Sequence, residues 1–233
     1  MDWQQVACLD ASRDRKTIRS LQAWQRGETS DGSHLFRAAE KYARRIDDPA
    51  YLEAISLFIK EEQKHGENLG RYLDAIGVSR LDFDFGDWLF RRVRYFNTSI
   101  ELWTVSVIIV ETFAQIYYAS LAKASGCPLL GDICKDILTD EAHHIRFQSE
   151  RLHSLLRSRS RPARWLSIFS CRFLLLTVTI SIWIAHAHVF KRAGLGFHGF
   201  RRRAKRRISR ILAEGDFSTQ VPSLSEQVVE LNT

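Results

Sequence analysis

The sequence predicts an all-α protein: a four-helix bundle with a long crossover between its second and third long helices and a further helical segment towards the C-terminus. Three observations carry this. Only 4 Pro and 12 Gly occur in 233 residues, and long stretches run without either, unlike the turn-rich punctuation of an all-β chain. Apolar residues recur at spacings of three and four, the period of one helix face. Two Glu-x-x-His motifs, Glu62-Gln-Lys-His65 and Glu141-Ala-His-His144, each fall on the second arm of a helical hairpin.

Taken in order, residues 16–46 read as the first long helix, disturbed near Gly27 and Gly32, and Asp47-Asp48-Pro49 supplies a stop, a cap and a first-turn proline. From Pro49 to Gly77, the residues Ile55, Phe58, Ile59, Glu62, His65, Leu69 and Leu73 mark one face of the second helix. Residues 78–98 mix aromatic, charged and turn residues and serve as the crossover, with a short helix around Trp88 to Val93. The third helix runs from about Thr98 to Ala124. Ser125-Gly126-Cys127-Pro128 is a tight connection, and the fourth helix continues from Leu129 to Leu156. The expected organisation is a bundle over 16–156, a basic, apolar helical extension over 157–213 and a disordered tail over 214–233.

An i, i+3 spacing places a carboxylate and an imidazole on one helical face, so each Glu-x-x-His can grip one metal ion. Residues equidistant from a hairpin turn lie beside each other, which supplies the remaining ligands. Glu111 and Glu141 flank the turn near Cys127 at similar distances, and Glu111 lies inside the apolar run VSVIIVETFAQIYY, where an unpaired carboxylate is costly to bury. In the first hairpin, the partner of Glu62 falls near residues 28 to 34: Glu28 is preferred and Asp31 is the reserve. Taken singly, Glu62 reads as a solvated acid, His65 as a helix-surface histidine and Glu28 as a turn residue; the order E, ExxH, E, ExxH raises them together above that reading. His143 points a quarter-turn from His144 and is not expected to ligate. Four carboxylates and two imidazoles suit Fe(II) or Mn(II) better than copper or zinc, so the expected cofactor is two Fe ions, with a Mn/Fe pair as the variant.

Gly27-Glu28-Thr29, Glu62-x-x-His65, Glu111 and Asp140-Glu141-x-x-His144 resemble the ferritin-like di-iron carboxylate superfamily over about residues 20–156. That superfamily includes rubrerythrins, demethoxyubiquinone hydroxylases, the ribonucleotide reductase small subunit and aldehyde-deformylating oxygenases, and no one branch is matched throughout. The resemblance implies that Glu62 and Glu141 bridge two metals, with Glu28, Glu111, His65 and His144 completing their shells. Metal-bound imidazoles usually donate their other N–H to a carboxylate or carbonyl; Asp140 is the candidate to orient His65, and Glu61, which also reads as solvent-facing, the candidate for His144. Tyr118, two turns beyond Glu111, reads as packing before it reads as an electron relay.

The net charge of +7 is divided unevenly. Arg157 to Leu212 holds 14 Lys and Arg and no Asp or Glu, leaving 20 basic against 27 acidic residues elsewhere. Within it, Trp165 to Phe190 is strongly apolar, yet only Phe173 to Ala185 is free of ionisable groups, too short a run to span a bilayer alone. Three readings stand: an extra helix packed on the bundle, a membrane-embedded or interfacial helix, and a docking surface for a protein. The run Arg201 to Arg207, with Phe197 and Phe200 upstream, suits an anionic membrane surface, with nucleic acid the weaker choice and a solvated tail the plain one.

Cys8, Cys127, Cys134 and Cys171 are scattered without a CxxC pair, as in a reduced cytoplasmic protein. The first sixteen residues do not read as a secretory leader. Without a rubredoxin-like CxxC module, reducing equivalents are expected from a separate electron donor or from the substrate. The expected function is a dioxygen-activating di-iron oxidoreductase for an apolar substrate, cytoplasmic with membrane association, with a homodimer as candidate assembly. The alternatives are an iron-handling or ferroxidase protein, a peroxide scavenger and, least favoured, a tRNA-hydroxylase-like RNA-modifying enzyme.

Overall fold

The computed structural model describes residues 3–95, 100–157 and 160–213. Its regular structure is wholly α-helical among the described residues: α1 (Arg15–Glu28), α2 (Ser33–Ile46), α3 (Pro49–Ala75), α4 (Phe85–Tyr95), α5 (Ile100–Ser125), α6 (Pro128–Arg157), α7 (Arg161–Arg192) and α8 (Phe197–Ala213). The expected tail over 214–233, and the start of the third long helix at 98–99, lie outside the described residues. The chain divides into two compact units. One combines Met1–Trp103 with Cys127–Ile133; the other combines Thr104–Gly126 with the chain from Cys134 onward.

In the first unit α3 packs against both α1 and α2, and α1 also meets α4. The expected first helix is in fact two helices. Thr29 ends α1 by donating its hydroxyl to Arg26 O (2.7 Å), and Asp31 Oδ1 accepts the backbone N–H of Ser33 at the start of α2. Between them Gly32 adopts φ 67°, and a Cβ there would sit 2.6–2.7 Å from Ile59 on α3, so a side chain is excluded twice over. The break lets Leu21 and Trp24 of α1, and Leu35, Ala39 and Tyr42 of α2, each face inward.

The turn into α3 follows the sequence closely. Asp47 closes α2 in the left-handed region, which aspartate tolerates. Asp48 caps α3 by accepting from Tyr51 N at 3.1 Å, and Pro49 occupies the first turn. Helix α4 is longer than expected and closes the end of α1: Arg91, held by Asp87 at 2.7 Å, donates to Arg26 O and Gly27 O at 3.2 and 3.4 Å. Beyond α3, Arg80 crosses over Gly70 to meet Glu67 at 2.8 Å and Asp74 at 2.6 Å. Cys127 ties the N-terminal segment down: its thiol sulfur accepts from Cys8 N at 3.3 Å and from the Tyr72 hydroxyl at 3.4 Å. Burial pushes the Tyr72 hydroxyl's pKa up. All four cysteines are free thiols, as expected.

In the second unit α5 is apolar nearly all round, the pattern of a helix enclosed on every side. Val107, Ile108, Ile109, Phe113, Tyr117 and Leu121 are among its buried residues. Helix α8 packs on α7, with Phe190 and Phe200 at 4.5 Å between ring centroids. The extension also reaches α5 through Phe113–Phe200 (5.5 Å) and Tyr117–His186 (5.4 Å). Phe200 is therefore core and not, as the sequence suggested, an upstream aromatic available to a lipid or nucleic acid. Its side chain is fully buried, as are Val189 and Phe190. Among the described residues two helices, α5 and α7, are long and apolar enough to cross a membrane, and of these α5 is mostly buried and α7 is not.

Candidate metal centre

In the first unit the carboxylates of Glu28 and Glu62 and the imidazole of His65 each place a ligand atom within 4.8 Å of the others. Glu62 and His65 lie one turn apart on α3, with His65 Nδ1 3.7 Å from Glu62 Oε1. Glu28 is the last residue of α1 and comes from the partner arm of the hairpin. Glu28 and His65 are buried and Glu62 is half-buried.

Glu28 can come this close because of Gly66. A Cβ on Gly66 would stand 3.2 Å from the backbone carbon and the Cβ of Glu28, and the same distance from Thr29 Cγ2. The helices therefore touch backbone to backbone immediately beside His65. Gln25, one turn before Glu28, fastens this crossing by donating to Gly66 O at 3.2 Å. Sequence reading passed over Gly66; the available signal was a glycine inside an otherwise regular helix, directly after a Glu-x-x-His.

Asp31, the reserve ligand, is exposed and accepts the Ser33 backbone N–H at the start of α2. That N–H holds its carboxyl below the usual range.

In the second unit Glu111, Glu141 and His144 likewise place ligand atoms within 4.8 Å of one another, and all three are buried. Glu141 and His144 repeat the one-turn spacing on α6, with His144 Nδ1 3.6 Å from Glu141 Oε2. Glu111 projects from α5 between the buried residues Ile108 and Thr112. The Thr112 hydroxyl is turned back to Ile108 O at 2.8 Å. One turn beyond Glu111, Gln115 accepts from Arg207 of α8, so the basic extension reaches the helix that carries a candidate ligand. One turn beyond His144, the buried amide Nε2 of Gln148 has no hydrogen-bond acceptor among the described residues.

The fit to a metal is geometric and chemical. Metal–ligand bonds of about 2.0–2.2 Å to nitrogen and oxygen set donors on one ion roughly 3 to 4.4 Å apart, and the two Glu–His separations, 3.6 and 3.7 Å, fall in that range. The same separations are too long for hydrogen bonds. Each group brings two carboxylates and one imidazole, enough charge to offset a divalent cation where isolated burial is costly.

Asp140 is half-buried on α6 and Glu61 is exposed on α3, which favours the solvent-facing reading of Glu61. His143 is exposed, in keeping with a non-ligand. Tyr118 is fully buried with its ring against Tyr117 at 5.3 Å.

The fold and site thus define an all-α protein whose buried carboxylate and histidine groups can hold a metal ion. No family model matches the chain, and neither a curated protein nor a solved structure shows significant similarity to it.

Proposed function

We propose that the protein is a ferritin-like di-iron oxidoreductase that activates dioxygen for use on an apolar substrate. The observation that carries the reading is the duplication of one ligand set: a Glu-x-x-His on one helix with a glutamate from its neighbour, found once in each unit. The order of the motifs along the chain, which resembles that of di-iron carboxylate proteins, supports reading the two sets as supplying ligands for two metal ions. Two such iron ions, when bound, supply redox equivalents for dioxygen reduction.

The chain's own residues do the rest. Glu28, Glu62 and His65 would hold one ion, and Glu111, Glu141 and His144 the other. Val107 and Ile108, buried one turn before Glu111 on the same face of α5, keep water from it. A buried, apolar approach strengthens every charge interaction within it and favours a substrate without charge. The buried amide of Gln148, on the same face of α6 as His144, is the candidate donor for orienting an oxygen atom of that substrate. With no CxxC pair among Cys8, Cys127, Cys134 and Cys171, a separate donor is the first source of electrons in this reading and the substrate the second.

The test is anaerobic reconstitution with Fe(II), followed by elemental analysis and oxygen-uptake measurement with and without long-chain alcohols or aldehydes. Two irons per chain, with uptake stimulated by the apolar compound and lost in Glu111→Ala and His144→Ala, is the expected outcome. Iron that binds no better to the native chain than to those variants sinks the metal site. Continued accumulation of many irons per chain in air would replace the oxygenase reading with iron storage.

A further inference from the structure

Both α5 and α7 carry apolar stretches long enough to cross a membrane, yet 83% of the α5 stretch is buried against 12% of the α7 stretch, Ser167–Arg192. The core accounts for the first and not for the second. On α7 the exposed large side chains are Trp165, Phe169, Phe173, Leu176, Ile180 and Ile184, at 44–76% exposure. Their spacing of 4, 4, 3, 4 and 4 residues confines them to an arc of about 100° along roughly 28 Å of helix. A scatter of exposed apolar residues is ordinary; a continuous stripe of six is an interaction surface.

The charges around the stripe say what covers it. Residues 157–212 contain no Asp or Glu. Helix α8, packed on α7, turns Phe200, Ala204, Ile208 and Ile211 inward and exposes Arg201, Arg202, Lys205, Arg206 and Arg210. A second copy seated on the stripe would bring two such basic segments together, which like-charge repulsion disfavours. A bilayer with anionic headgroups meets both features at once, taking the apolar side chains below its headgroups and the cations at its surface. The helix is not free to span: His186, Val189 and Phe190 at its C-terminal end are buried, His186 and Phe190 against Tyr117 of α5. We infer that α7 lies in the plane of an acidic phospholipid surface, with the Trp165–Ile184 stripe immersed and the exposed cations of α8 on the headgroups. This surface does not depend on the metal reading.

Flotation of the full chain with vesicles tests it, using phosphatidylcholine alone or with 30% phosphatidylglycerol. Binding to the acidic vesicles at least ten times tighter than to the neutral ones, weakened by raised salt, is expected. The variant Phe169→Glu/Phe173→Glu/Ile180→Glu changes only exposed positions, so it should keep its helical circular dichroism and its iron content while losing at least ten-fold in vesicle binding. Three outcomes overturn the inference: no flotation with acidic vesicles; equal flotation of the native chain and the variant; or a native dimer that the variant dissociates without any vesicle binding, which would make the stripe a self-association face. Retained iron content in the variant separates failure here from failure of the metal site.

Discussion

The two ligand groups share a composition but are built differently. Glu111, Glu141 and His144 project from the interiors of two continuous helices and are all buried. Glu28, Glu62 and His65 depend on a helix end, a glycine crossing and a guanidinium that closes that end, and Glu62 remains half-buried. The first design accepts a large electrostatic cost for isolation from water. The second trades isolation for adjustability, because a helix terminus shifts more easily than a helix interior. The same chemistry in two mountings means that identical substitutions should have unequal effects.

The largest inequality concerns the metal-free protein. Two carboxylates within 4.8 Å of each other in a buried setting repel strongly unless a cation lies between them. Fe(II) at about 100 times its dissociation constant should therefore stabilise the chain by ~2.7 kcal/mol per site, a rise in melting temperature of about 5–10 °C. Glu141→Gln should raise the melting temperature of the metal-free protein and abolish most of the iron-induced rise. Glu62→Gln, at a side chain with 21% exposure against none for Glu141, should move the metal-free value less, by about 2 °C. Thermal scans of both variants with and without Fe(II) decide it; equal responses in the metal-free state would show that the two mountings are not different.

Gly66→Ala sharpens the contrast from the other side. Alanine is worth up to about 1 kcal/mol more than glycine within a helix, but the new methyl group would press on the Glu28 backbone at 3.2 Å. Stability should change by less than about 1 kcal/mol, since the two effects oppose one another. Iron affinity of the first group should fall by roughly 10- to 100-fold, as for other changes that misplace a ligand, with the second group unaltered. Titration with Fe(II) would then show one strong and one weak site; two unaltered sites would mean that α1 gives way freely.

The sequence was most legible where periodicity and chemistry coincide. Helix α3 ran as expected from its Asp48 cap because apolar residues at three- and four-residue spacings shared a face with Glu62 and His65. Glu111 stood out because a carboxylate inside an apolar run is costly to bury without a cation to compensate it. Less legible was whatever depends on one element's approach to another. The disturbance near Gly32 was legible from the glycine itself, but not that it would be a full break into α1 and α2, nor that Ile59, 27 residues on, would leave no room for a side chain there. Gly66 carries no side chain to advertise its role. Phe200 looked like part of a basic, aromatic ligand surface until the aromatic cluster of Trp183, Phe190 and Phe113 enclosed it.

A smaller effect tests whether the end of α1 needs its closure. Arg91→Ala removes the donor to Arg26 O and Gly27 O next to Glu28. A charged cap of this kind contributes about 1 kcal/mol, so chemical denaturation should show a loss of that size. Amide exchange should rise at residues 26–29 and stay unchanged around Glu111. Equal protection at 26–29 would mean that Gln25 and Gly66 hold the terminus unaided.

The smallest effect lies beyond the first group, on the exposed face of α3. The Arg80 guanidinium holds the carboxyls of Glu67 and Asp74 below their ordinary values. A carboxylate whose folded value is depressed contributes stability that is present above its unfolded value, near 4, and is lost as pH falls through the folded one. Replacing Arg80 with alanine lets both groups return towards their ordinary values, so the chain begins to lose stability at a higher pH. Both carboxylates are solvent-exposed, and screening keeps the contribution modest. The midpoint of acid unfolding followed by circular dichroism should therefore rise by only a fraction of a pH unit, and the difference from the native chain should shrink in 1 M salt. A midpoint that did not move, or that fell, would mean that Arg80 acts through its packing over Gly70 and not through its charge.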